Sequence, residues 1–184
     1  MNNVYAFFSV FNRGVSLMML ALIAAWFLSA CRQQPDTDWQ GLKQMIRDKF
    51  PEVRQISPAQ LSEWLAQSES PFLLDARAPK EYAVSHLPGA QLAETEQQAL
   101  ALLQDTPKER RIVIYCSVGY RSSALAQKLQ QAGFTNVFNL EGSIFEWANE
   151  GKPLYQDKQQ VSLVHPFDKK WGLYLHEELR APLP

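Results

Sequence analysis

Ile112-Val113-Ile114-Tyr115-Cys116-Ser117-Val118-Gly119-Tyr120-Arg121 runs from four apolar residues straight into a polar, glycine-containing turn. A short apolar run with no alternation reads as a buried strand, apolar on both faces, as in parallel sheets. Phe72-Leu73-Leu74, ending in Asp75 and preceded by Ser70-Pro71, is a second run of the same kind. After Arg121, Leu125, Leu129 and Ala132 recur at i, i+4 and i+7, and Gly133 stands where a helix C-cap belongs. Asn136 to Leu140 reads as the next strand, and Gly142 leads into a short helix through Ile144, Phe145 and Trp147 that ends near Gly151-Lys152-Pro153.

Upstream of these strands, Trp39, Leu42, Ile46 and Phe50 mark a helical stripe stopped by Pro51. Val53 to Ile56 reads as a short strand. It runs into Ser57-Pro58-Ala59-Gln60, a helix start with Ser as N-cap, Pro in the first turn and Gln placed to close a capping box. A turn at Pro88-Gly89 and a helix through Ala99 to Leu103 fill the space between the two buried strands. Strands alternating with helices predict an α/β sandwich on a parallel sheet. Residues 155–184 fall outside the alternation and are expected to pack as an appendage.

Cys116 follows a buried strand and precedes a helix, so it belongs at the carboxyl edge of the sheet, where open α/β folds place their ligands. Unpaired N–H groups at the helix start, with Arg121 nearby, favour a thiolate over a thiol. Gly119 allows the loop to curl so that successive N–H groups face inward as a nest for an anion. Ser117, Tyr120, Ser122 and Ser123 add hydroxyl donors. His86 reads as a structural hydrogen-bonder. Glu81 and Glu141 read as packing edges or ion pairs, Glu109-Arg110-Arg111 as a solvated turn, and the tryptophans as core or interface residues. No His, Cys or acidic spacing suggests a metal site.

The first thirty residues differ in kind. They hold Arg13 as their only charge and a continuous apolar stretch from Val15 to Leu28. That is signal-peptide length, short of the ~20 residues a spanning helix needs. Leu28-Ser29-Ala30-Cys31 resembles the lipobox of bacterial lipoproteins, which implies cleavage before Cys31 and lipidation of its thiol and amine. An uncleaved anchor and an ordinary secretory signal are the alternatives. The chain is 46% hydrophobic with a net charge of −1 and no basic run, which excludes a nucleic-acid-tracking surface.

Taken together, Leu74-Asp75-Ala76-Arg77, Glu81-Tyr82, His86-Leu87-Pro88-Gly89-Ala90, the Cys116 loop with Arg121-Ser122, and Leu140-Glu141-Gly142 resemble the rhodanese-like family of sulfurtransferases. The resemblance implies a three-layer sandwich with a central, mostly parallel five-stranded sheet flanked by helices. It also implies a division into a signal segment (1–30), a tether with an N-terminal helix (31–54), the rhodanese-like domain (55–153) and an extension (154–184). Cys116 would be the nucleophile, taking sulfane sulfur from a small anion such as thiosulfate and passing it to cyanide or a thiol. Ser117, Val118, Gly119, Tyr120, Arg121 and Ser122 would bind the donor, with Asp75 and Arg77 in support, and no metal or organic cofactor is implied. Ser85 departs from the family's usual Gly. The expected protein is a monomer facing the periplasm of the bacterial envelope and held to the membrane by its lipid. Two other readings are a lipid-tethered sulfur carrier or partner-binding module, and phosphatase or arsenate-reductase chemistry. The four-residue gap from Cys116 to Arg121 argues against the latter, because the related phosphatases use five, and so does Tyr115, where those enzymes carry His.

Overall fold

The computed structural model describes residues 38–183; the signal-peptide and Cys31 expectations fall outside that range. Helix α1 (Trp39–Lys49) is capped by Asp38, whose carboxylate accepts the Gly41 N–H at 2.7 Å. Five strands follow: β1 (Arg54–Ile56), β2 (Phe72–Asp75), β3 (Gln91–Leu92), β4 (Ile112–Tyr115) and β5 (Val137–Leu140). They form one sheet in the order β1-β5-β4-β2-β3, with every pairing parallel. All four residues of β4 are buried, so the sheet is covered on both faces, as the unbroken apolar run requires.

Between the strands lie α2 (Pro58–Leu65), α3 (Pro79–Tyr82), α4 (Glu96–Leu102), α5 (Tyr120–Gln131) and α6 (Ser143–Asn149). Helix α5 packs over β4 and β5 and against α4, and α2 packs against α6. Ser57 caps α2 by accepting the Gln60 N–H at 3.1 Å, but the expected capping box does not close. The Gln60 amide bonds to Glu63 instead, an i,i+3 neighbour on the exposed face. Nor is the 109–111 turn simply solvated. Arg110 donates to the Ser70 carbonyl, and Arg111 lies 4.3 Å over the Trp64 ring.

Strand order reverses around β2 and β4, since β3 lies outside β2 and β5 lies on the far side of β4. The crevice at a reversal of this kind is where such folds bind ligands. The carboxyl end of β2 presents Asp75, and that of β4 leads directly to Cys116.

The extension packs on the domain. Strands β6 (Leu154–Gln156) and β7 (Gln159–Val161) form a hairpin, and Tyr155 bridges to His86. Val164 pairs with Arg180 across a loop holding 3₁₀ turns at Trp171–Tyr174 and Glu177–Leu179. Val164 and Leu175 are fully buried in the common core. Asn149 of α6 donates to the Tyr174 carbonyl and accepts the His176 N–H, both at 2.9 Å, and the Trp39 and Tyr174 rings meet edge to face at 5.0 Å. Among the described residues no helix is long and apolar enough to cross a membrane.

Candidate active site

The turn after β4 is held from below by the start of α6. The Cys116 N–H donates to Ser143 Oγ at 3.1 Å, and the Cys116 and Ser117 carbonyls accept the N–H groups of Ile144 and Phe145 at 3.2 and 3.1 Å. With those carbonyls drawn to α6, the later N–H groups of the turn are left to face inward. That of Gly119 points at Cys116 Sγ, 3.2 Å away. Gly119 sits at φ +115°, a region closed to L side chains, and a Cβ there would stand 3.2 Å from Asn139 Nδ2. Ser143 itself adopts φ +51° and returns its hydroxyl to the Leu140 carbonyl at 3.0 Å.

Cys116 is 1% exposed, and burial alone raises a thiol's pKa. Here burial is outweighed by the Arg121 charge, then by the Ser122 hydroxyl and the N–H groups of Ser122 and Gly119, so the thiol is held below its ordinary value. The buried Ser122 hydroxyl has no hydrogen-bond partner among the described residues.

The Arg121 charge acts on the thiol, but that charge is shared. Its Nη1 and Nη2 donate to Glu81 Oε2 and Oε1 at 2.8 and 2.9 Å, and Nη2 also donates to Ser117 Oγ at 2.9 Å. Ser117 Oγ in turn donates to Glu81 Oε1 at 3.0 Å. Burial works to raise the Glu81 pKa, but its bonds to Arg121 hold the carboxyl below the usual range. Glu81, expected at a packing edge or in an ion pair, is in an ion pair, and its partner is the active-loop arginine. No sequence signal links the two, which lie forty positions apart. Ser143 was also missed, because a Ser after Gly142 at a helix start reads as an ordinary cap.

Asp75 and Arg77 are fully buried and do not line the cavity at Cys116. Arg77 gives Asp75 its Nε and Nη2 at 2.9 and 2.7 Å, and Nη2 also binds the Ser85 carbonyl at 2.6 Å. Desolvation works against the Arg77 charge, but Asp75 more than compensates. The pair therefore fixes the loop carrying His86 and Leu87 beside Tyr115, whose hydroxyl accepts the Leu87 N–H at 3.1 Å. The Ser85 hydroxyl is buried with no partner among the described residues. His86 stacks on Tyr82 at 4.3 Å, with its Nδ1 3.0 Å from the Leu87 carbonyl, which makes it structural.

A cavity of about 320 Å³ opens over the thiol, lined by Met45, Cys116, Ser117, Val118, Tyr120, Arg121, Phe167 and Trp171. Met45 comes from α1, and Phe167 and Trp171 come from the extension, to which the sequence assigned no role. Phe167 stands at φ +66°, with its N–H on His165 Nδ1 at 3.0 Å and its ring 5.0 Å from the Arg121 guanidinium.

Residues 57–150 match the family described as Rhodanese-like domain, about half of the chain. A sulfurtransferase of Allochromatium vinosum is 36% identical over 103 residues, 55% of this chain and 94% of that protein. A probable adenylyltransferase/sulfurtransferase MoeZ of Mycobacterium tuberculosis is 34% identical over 102 residues, but this chain spans only 25% of its length. The solved thiosulfate sulfurtransferase of Pseudomonas aeruginosa superposes with a TM-score of 0.55 at 19% identity, over 68% of this chain and 24% of that one, a likeness of fold. With the five-stranded parallel sheet and the cysteine turn after its central strand, these matches make the chain a member of the rhodanese-like domain family.

Proposed function

We propose that the chain moves sulfane sulfur through a persulfide on Cys116. The Cys116 thiolate attacks the terminal sulfur of the donor; a new S–S bond forms, the donor's own bond to that sulfur breaks, and the leaving group departs with the electron pair. With thiosulfate the leaving group is sulfite. A thiolate or cyanide then attacks the outer sulfur and releases Cys116 as thiolate. One observation carries the reading: a thiol held below its ordinary pKa beneath the inward N–H of Gly119, at the carboxyl end of the central strand. In this reading Ser117 to Ser122 cradle the outer sulfur, and Asp75 and Arg77 brace the loop beside it.

Intact-mass analysis of the purified protein, before and after a sulfane donor, tests this. Gain of one sulfur, its loss on adding cyanide, and no gain in Cys116→Ser are expected. An unchanged mass with both thiosulfate and benzenethiosulfonate overturns the reading. Repeated release of thiocyanate in the presence of excess donor distinguishes an enzyme from a carrier loaded once.

We further propose that the protein is anchored in the bacterial envelope through lipid on Cys31, facing the periplasm. Support comes from the apolar stretch Val15 to Leu28 followed by Leu28-Ser29-Ala30-Cys31. Labelled palmitate should enter the protein in growing cells and fail to enter Cys31→Ser; an unlabelled wild type refutes the anchor.

A further inference from the structure

The family match covers residues 57–150, yet three of the apolar side chains around the Cys116 cavity come from outside it: Met45, Phe167 and Trp171. Met45 and Phe167 are 44% and 40% exposed. Scattered exposed apolar residues need no explanation, but these converge on one thiol from two separate segments. Phe167 is also held in the left-handed region, uncommon for a bulky side chain and found where the surroundings enforce it. Arg121, the only basic residue lining the cavity among the described residues, is committed to Glu81 and Ser117. A small inorganic dianion would meet an ion pair already neutralised, inside apolar walls. At about 320 Å³ the space lies at the lower end of pockets that hold organic ligands.

We propose that the preferred donor is an organic sulfane-sulfur compound with an apolar body about the size of an aromatic ring, lying against Met45, Phe167 and Trp171 while its terminal sulfur meets Cys116. This rests on the persulfide reading above and specifies its substrate class. In the probe reaction the thiolate attacks the outer sulfur of a thiosulfonate anion. The Cys116–sulfur bond forms, the bond between the two donor sulfurs breaks, and a sulfinate leaves with the pair.

Full-length protein is assayed with thiosulfate, methanethiosulfonate and benzenethiosulfonate, with cyanide as acceptor. The kcat/KM for the benzene donor should exceed that for the methane donor by about tenfold or more, the range a filled apolar pocket supplies. The two donors differ in intrinsic reactivity, so the deciding quantity is the change in their ratio on mutation. In Phe167→Ala and Trp171→Ala that ratio should fall severalfold. Met45→Ala, on the other wall, should do the same and serves if the extension variants fail to fold. Thiosulfate used as well as the benzene donor, or a ratio unmoved by Met45→Ala together with any folded extension variant, overturns the inference and leaves the persulfide chemistry standing. A chain that gains sulfur from none of the three donors overturns both.

Discussion

Glu81→Gln isolates the role of the ion pair beneath the thiol, because it removes one charge while keeping the side chain's shape. Glu81 is fully buried, accepts the Ala78 N–H at 3.0 Å and receives both Arg121 terminal nitrogens. Breaking a fully buried pair by deleting one partner costs about 3–5 kcal/mol. Arg121 is 35% exposed and keeps part of its hydration where it stands, so the expected loss is reduced to about 2 kcal/mol. At about 2–4 °C per kcal/mol for a chain of this size, the melting temperature should fall by roughly 4–8 °C. The effect on chemistry has the opposite sign. Freed of Glu81, the Arg121 charge acts on the thiol and on anionic donors without compensation. A charge interaction of about 1 kcal/mol, the value in a water-like medium, corresponds to roughly fivefold in affinity. The KM for thiosulfate should fall by about that factor, and the acid limb of the kcat/KM profile should move to lower pH. Scanning calorimetry and steady-state kinetics on the two proteins check this. A KM that rises, or a variant as stable as the parent, refutes the reasoning.

Three further outcomes follow from the same geometry. Gly119→Ala must place a Cβ at φ +115° against Asn139, at a cost of about 1–3 kcal/mol; denaturant melts should show the loss and mass spectrometry a slower gain of sulfur, and a variant unchanged in both would mean that the turn does not need this backbone. Asp75→Ala leaves the Arg77 charge buried and unpaired and should cost about 3–5 kcal/mol, read as a lower urea midpoint. Arg121→Ala removes the charge that contributes most to overcoming burial at the thiol, so the Cys116 pKa should rise. Because the thiolate forms as pH increases, alkylation by iodoacetamide should need a higher pH in the variant, and an unshifted profile would exclude Arg121 as the cause.

The parts of this protein that its sequence discloses are those built from neighbours in the chain. β4 is legible because a short apolar run bounded by turn residues fits a strand covered on both faces, and the Cys116 turn is legible because its glycine, hydroxyls and arginine lie within six positions. The Gly133 stop also reads correctly, and Gly133 stands at φ +91° just past the end of α5. What escaped depends on tertiary approach. Glu81 is one acidic residue in a four-residue helix until folding sets it under Arg121, and Gln60 could not reveal that it would prefer Glu63 to its cap. The extension has little periodicity to read, since it is built from a hairpin of two three-residue strands, two isolated bridges, two 3₁₀ turns and contacts to Asn149 and Trp39. This division has a physical consequence for the site. The reactive turn is held by its own N–H groups, by the start of α6 and by Glu81. Part of the cavity wall, Met45, Phe167 and Trp171, comes from α1 and the extension, and these side chains make none of those hydrogen bonds. Selectivity for the donor body can therefore be altered at Met45, Phe167 and Trp171 while the groups that ionise Cys116 stay in place.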